Sequence, residues 1–272
     1  MLHTLLSPVL LSPFRSLSRA ALYLTVVVFA ACSSTSTYNP TVYPFEINKP
    51  LLQQKPPKKL VIATANVSGE PTRFYLQKAA GRVDEMIKVY LEKHGYQIAP
   101  SYVFENAWNQ AIRTYGDMYD PTTGRVDPTT WRAVMLTTAK TLHDSTDIDA
   151  IVFTDVIERD AAHDVGMDHL ARWDGVSRKP GMVSAGADGV PTSFNWSQSI
   201  KVASLVITIY STNMEGLFTS HAGLDTLQAI DTKNEATFVR RKHVLDSEGN
   251  IEEGIELAFH PFIPLKNYPG NK

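Results

Sequence analysis

The sequence predicts an α/β (α+β) domain in which a mixed, largely antiparallel sheet packs against helices. Three observations predict it. A short apolar run, Leu60-Val61-Ile62-Ala63, feeds a segment from Thr72 to His94 whose apolar residues recur at intervals of three and four. Two later runs, Asp149–Ile157 and Ile200–Tyr210, are rich in the β-branched residues that suit a pleated surface. The order strand, long helix, strand, helices, strand, hairpin and late helix is that of a layered sandwich rather than a bundle or a barrel.

The chain opens without an Asp or Glu before Glu46, and Arg15 and Arg19 precede an apolar run from Ala20 to Ala31. A basic segment, an apolar stretch and small residues before a cut describe a secretory signal covering residues 1–31. The run is shorter than the roughly 20 residues a membrane-spanning helix needs. It ends in Phe29-Ala30-Ala31-Cys32, which resembles the lipobox of bacterial lipoprotein precursors. The resemblance implies cleavage before Cys32 and acylation of its thiol and freed amine, and two or more buried chains give stable anchoring. Ser33, rather than Asp, follows the cysteine, which in such lipoproteins implies the outer membrane, on its periplasmic face. Cys32 is the only cysteine. Once it is acylated no disulfide and no thiolate chemistry remain.

Residues 32–58 are expected to be the lipidated cysteine and a tether. Five of the sixteen prolines fall here (Pro40, Pro44, Pro50, Pro56, Pro57) among Ser, Thr, Asn and Lys. Such a stretch leans to extended conformations and could reach roughly 80 Å at about 3.1 Å per residue. Tyr38, Tyr43, Phe45, Leu51 and Leu52 interrupt its polarity and point to local packing on the domain.

A single α/β domain is expected over 59–272. Leu60–Ala63 is a buried strand, entered from Pro-Pro and left through Asn66–Pro71. In the helix that follows, Leu76, Ala79, Val83, Met86, Ile87, Tyr90 and Leu91 form one apolar face, Gly95 stands at the left-handed cap, and Tyr96–Ala99 is a short strand. A second helix runs from Phe104 to Tyr115. After a turn-rich loop, Asp127 as N-cap and Pro128 at N1 start a third, to about His143. Asp149–Ile157 is a strand, and Asp164–Val176 reads as one strand around Trp173. Ser177–Asn195 reads as a long mobile loop. Ile200–Tyr210, apolar on both faces, belongs at the centre of the sheet. The turn Ser211-Thr212-Asn213 leads into Gly216–Leu227, and a last helix spans Ile251–Phe259 before Pro261 and Pro264.

Taken together, Lys59–Ala65 with Thr72–His94, Asp149–Ile157, and Ile200–Tyr210 turning into Gly216–Gly223 resemble the periplasmic α/β domains of three envelope groups. These are the curli-secretion lipoprotein, the amino-terminal domain of the Tol-system translocation protein, and the lipoprotein activators of penicillin-binding proteins. The resemblance implies a fold of the periplasmic envelope-lipoprotein type and no functional residue. A curli-type pore is not expected, because spanning strands need a continuous apolar outer face and Ser177–Asn195 is too polar for one.

Removing Arg15 and Arg19 from the 26 basic residues leaves 24 against 28 acidic ones, a mature charge of −4. No basic stripe accompanies it, so nucleic acid is not an expected partner. The best metal-like cluster is His163, Asp164, Asp168 and His169, which carries imidazole and carboxylate donors of the kind zinc takes. On one extended strand His163 and His169 would share a face about 20 Å apart, too far for one ion. A tight turn at Gly166 would be needed, and polar turn residues are the plainer reading. No nucleophile elbow, P-loop or dinucleotide fingerprint occurs. Val67-Ser68-Gly69-Glu70 follows the first strand where α/β proteins often bind ligands, but reads as a turn onto a helix. Glu158, Arg159 and Asp160 read as solvated. Trp108, Trp131 and Trp173 read as core, whereas Trp196, with Phe194, sits in the polar loop as a candidate partner anchor. The expectation is therefore a non-enzymatic, membrane-anchored accessory or assembly factor with no cofactor, docking with another envelope protein. The alternative class is a periplasmic metal-dependent hydrolase or small-ligand-binding lipoprotein.

Overall fold

Pro50 sits in the first turn of a short helix, where a missing N–H costs nothing. That detail already moves the start of the folded domain. In the computed structural model of the chain, the described residues are 44–63, 74–120, 122–123, 125–164, 168–183, 189–233 and 236–266. Strand β1 (Phe45–Ile47) and helix α1 (Lys49–Gln54) come first. The remaining elements are β2 (Lys59–Ile62), α2 (Phe74–Lys93), β3 (Gln97–Ala99), α3 (Ser101–Tyr115), α4 (Pro128–Ser145) and β4 (Ala150–His163). Then follow β5 (Ala171–Trp173), β6 (Val176–Arg178), β7 (Gly181–Met182), β8 (Ile200–Ser211), β9 (Gly216–Thr226), β10 (Gln228–Asp231), β11 (Thr237–Arg240) and α5 (Glu248–Phe259).

The fold is mixed α/β, with a largely antiparallel sheet packed against helices. The main sheet runs β1-β9-β8-β4-β2-β3, and β5 and β6 extend the far end of β4. Pairings β2·β3 and β2·β4 are parallel, whereas β4·β8, β8·β9 and β9·β1 are antiparallel. Its spine is β4 against β8, in unbroken register from Ala150↔Ser211 to Ala161↔Ile200. A small sheet β11-β10-β7 stands beside it.

Strand alternation sends side chains to two cores. Leu60, Val152, Val156, Leu205, Ile207 and Ile209 pack with Leu76, Val83, Ile87 and Leu91 of α2 and Ile251, Ile255 and Phe259 of α5. Val61, Ile151 and Phe153 face the opposite side, against Phe104 and Trp108 of α3 and Val134, Met135 and Leu142 of α4. Ile200–Tyr210 takes the central position expected for it, with β4 paired along one edge and β9 along the other. Asp127 caps α4 as read from the sequence, accepting from the backbone N–H groups of Thr129 and Thr130.

Several expectations need correction. The tether does not extend to residue 58. Phe45–Ile47 pairs antiparallel with β9 (Phe45↔Ser220, Ile47↔Phe218), Asn48 N–H donates to the Leu217 carbonyl at 2.9 Å, and Leu51 and Leu52 pack against the α2–α5 core. The prolines misled because Pro50 starts a helix instead of breaking one, and an edge strand of three residues is short enough to hide among them. Asp164–Val176 is not one strand. The chain turns back after His163, and Asp174-Gly175 forms a two-residue hairpin between Trp173 and Val176, with φ of 39° and 83°. Asp-Gly at positive φ is the turn that matches strand twist. Ser177–Asn195 is also not loop throughout, for β6 begins it and Gly181–Met182 pairs with β10. Cys32, the signal and the Val67–Glu70 turn lie outside the described residues.

Candidate functional site

The chain doubles back between Asp164 and Leu170, since Asp164 N–H donates to the Leu170 carbonyl at 2.8 Å and His163 pairs across from Ala171. His163 and His169 both pack against Trp196, as parts of an aromatic cluster. His169 stacks flat on Trp196, with centroids 4.0 Å apart and planes 5° apart. His163 meets the same indole edge-on at 5.3 Å and stacks on Phe238 at 5.4 Å. Phe194 closes the group with edge contacts to Trp196 and Phe238. His163 Nδ1 donates to the Gln198 carbonyl at 3.2 Å, which leaves Nε2 as the lone-pair nitrogen of the neutral ring. Burial pulls the His163 pKa below its ordinary value, outweighing the bond to Gln198, and His169 nearby adds to the effect.

The carboxylates of this stretch do not join the imidazoles. Asp164 pairs with Arg172 at 2.9 Å and accepts from Leu170 N–H, while Asp168 is exposed. Among the described residues no three His, Cys, Asp or Glu side chains are grouped to hold a metal ion. The site that the sequence suggested from His163, Asp164, Asp168 and His169 is thus a packed corner at the end of the β4–β8 spine.

Of the two readings of Phe194 and Trp196, docking anchors or rings folded back onto the sheet edge, the packing is that of the second. Phe194 is 5% exposed and Trp196 half-buried, because the loop folds back over Phe238. The neighbouring segment from β11 supplied a partner that the sequence reading had not placed. Trp196→Ala is therefore expected to remove about 1–2 kcal/mol of stability, lowering the melting temperature by about 3–6 °C. An unchanged melting temperature by circular dichroism would restore the docking role.

The charged residues of β4 are absorbed in structure. Arg159 Nη1 donates to both oxygens of buried Asp174, at 2.9 and 2.8 Å, and Ser204 donates to Asp174 at 2.6 Å. Asp160 pairs with Lys201 at 2.8 Å, and Glu158 accepts from Tyr75 Oη. On the neighbouring edge Arg241 joins Asp225 and Asp246, each at 2.6 Å, and Arg178 pairs with Glu253 at 2.6 Å. Trp173 is core, as expected, its Nε1 donating to the Ala203 carbonyl at 3.1 Å.

Two of the concavities border α2. One of about 540 Å³ opens at the C-terminal ends of β2 and β3, between α2 and α3, where α/β sheets commonly take ligands. Asp84, Glu85, Glu92, Glu105 and Lys88 line it, with neither histidine nor cysteine among the described lining residues. Thr154 Oγ1 donates to Asp84 at 2.7 Å and Lys88 pairs with Glu85 at 3.6 Å. The second, about 310 Å³, is a groove between α2 and α5. Met86, Val89, Tyr90 and Ile255 line its apolar part, and Glu248, Glu252 and Glu256 stand along one side. Those three glutamates repeat every four residues, which sets them on one helical stripe. That spacing is legible in the sequence itself. Burial, reinforced by Glu256, pushes the Tyr90 pKa far above the ordinary tyrosine range.

Neither a protein-family model nor a curated protein sequence matches the chain. Among solved structures, a PelC dodecamer from Paraburkholderia phytofirmans aligns over 75% of this chain and 86% of its own, at 9% identity and a TM-score of 0.28. A likeness of that size bears on neither fold nor function.

Proposed function

We propose that the chain is an envelope lipoprotein, anchored by acyl groups on Cys32, whose α/β domain acts without catalysis as an accessory or assembly factor docking with another envelope protein. The observation that carries this reading is the run Phe29-Ala30-Ala31-Cys32 at the end of an apolar segment, with the sole cysteine at the cut. Cleavage there leaves residues 33–44, twelve in number, between the lipid and β1. A chain of that length spans at most about 40 Å, so the reach is roughly half that of a tether extending to residue 58. The domain is thereby kept close to the outer membrane, on its periplasmic side. Further support comes from the imidazoles and carboxylates that resembled catalytic groups, which are engaged in ring stacking and ion pairs.

Intact-mass measurement of the mature protein tests the anchor. The expected first residue is Cys32 bearing diacylglycerol and a further acyl chain, recovered in the membrane fraction. Cys32→Ala is expected to abolish both the added mass and the processed terminus. An unmodified mature terminus at any other residue would defeat the proposal.

A further inference from the structure

The groove between α2 and α5 is an apolar strip with a negative wall. Val89 is 55% exposed on its floor, beside half-buried Met86 and buried Ile255. Glu248 is engaged with Arg82 at 3.4 Å and Glu85 with Lys88 at 3.6 Å. Lys93 of α2 also lines the groove, but no ion pair among the described residues engages Glu252 or Glu256, both of them exposed. Tyr90 Oη, on the α2 side, is buried and has no hydrogen-bond partner among the described residues. Carboxylates spaced along one stripe repel one another, and a cation brought beside them relieves that repulsion. Lysine and arginine carry an aliphatic stem that covers apolar surface while the charged head stays at its rim, and this combination matches the groove on both counts.

We infer that the α2–α5 groove is the docking surface of the domain and that it receives a basic, amphipathic segment of a partner protein. The inference rests on the docking role proposed above and names the chemistry of the partner. Lysine or arginine heads of the segment meet Glu252 and Glu256, and its aliphatic residues cover Val89 and Met86. An anionic membrane surface is disfavoured by the same carboxylates. Helix-in-groove recognition follows this plan, with side chains at intervals of three and four as anchors.

The test uses the full chain in detergent and two synthetic amphipathic helical peptides. They share one leucine pattern and carry either lysine or glutamate at the polar positions. Fluorescence titration is expected to show saturable binding of the lysine peptide and none of the glutamate peptide. Zero-length carbodiimide coupling, followed by peptide mass mapping, is expected to join peptide lysines to Glu252 and Glu256. The double variant Glu252→Lys with Glu256→Lys is expected to weaken binding by about tenfold or more, as reversal of wall charges does, with its melting temperature unchanged. Val89→Asp is expected to weaken it through loss of the apolar strip. Equal binding of both peptides, crosslinks confined to other carboxylates, or no binding at millimolar peptide each overturns the inference. Cys32→Ala is expected to bind the lysine peptide as the wild type does, so failure of the groove and failure of the lipid anchor are read separately.

Discussion

Asp174→Ala is expected to destabilise the domain by about 2–4 kcal/mol, mostly by leaving buried donors without their acceptor, since the Arg159 it pairs with is 40% exposed and is resolvated. Asp174 is 6% exposed and has three ties to the sheet. Its carboxylate accepts from Arg159 and Ser204, its carbonyl accepts from Gly223 N–H at 2.9 Å, and its backbone stands at φ 39°. Alanine removes the acceptor and leaves Ser204, fully buried, with its hydroxyl unsatisfied. It also pays the left-handed backbone cost that aspartate tolerates better. Asp174→Asn keeps the shape and the turn preference and is expected to cost about 1–2 kcal/mol, from the weakened charge-assisted bonds. Urea unfolding followed by circular dichroism checks both. Near-equal losses for Ala and Asn would mean that the charge alone carries the effect.

Asp174 also shows where the sequence was legible and where it was misread. Asp-Gly between apolar residues is a strong hairpin signal, yet the aromatic and apolar residues around Trp173 suggested one continuous strand. The turn belongs to strands of three residues each, too short for alternation to stand out from chance. Strands β10 and β11, four residues apiece, escaped for the same reason. Ile200–Tyr210 was readable because its length and two apolar faces leave no other place than a covered centre. Helix α4 was readable because Asp127 and Pro128 satisfy the local chemistry of a helix start without help from distant residues.

The candidate sites divide along the same line. The closeness of His163 and His169 depended on a turn, and the packing of His163 depended on Phe238, seventy-five residues further along the chain; no local pattern contains that contact. The groove is different. Glu248, Glu252 and Glu256 declare their shared stripe by spacing alone, and only the pairing of α5 with α2 required the structure. Val89 stood outside the apolar face of α2 read from the sequence, and it remains 55% exposed beside that acidic stripe.

Gly254→Val tests the contact on which that pairing depends, because α5 lies directly on β9. A Cβ at Gly254 would stand 2.5 Å from Leu224 Cδ2 and 2.7 Å from the Gly223 carbonyl oxygen. The leucine methyl can rotate away, but the strand backbone cannot, so the helix must lift from the sheet. Lifting it exposes Ile251, Ile255 and Phe259, all buried in the α2–α5 core. Overpacking in a tight core costs about 1–3 kcal/mol, and a second and third methyl group at a backbone contact should place valine at or above the upper end. Gly81 in α2 is the control, since a Cβ there meets nothing within 4 Å. Gly81→Ala is expected to gain about 0.5–1 kcal/mol from helix propensity alone. Opposite signs for two glycines, each inside a helix, would show that close approach to β9 sets the Gly254 position. A loss at both positions would mean that α2 and α5 respond to bulk generally, and a tolerated Gly254→Val would mean that α5 does not rest on the strand.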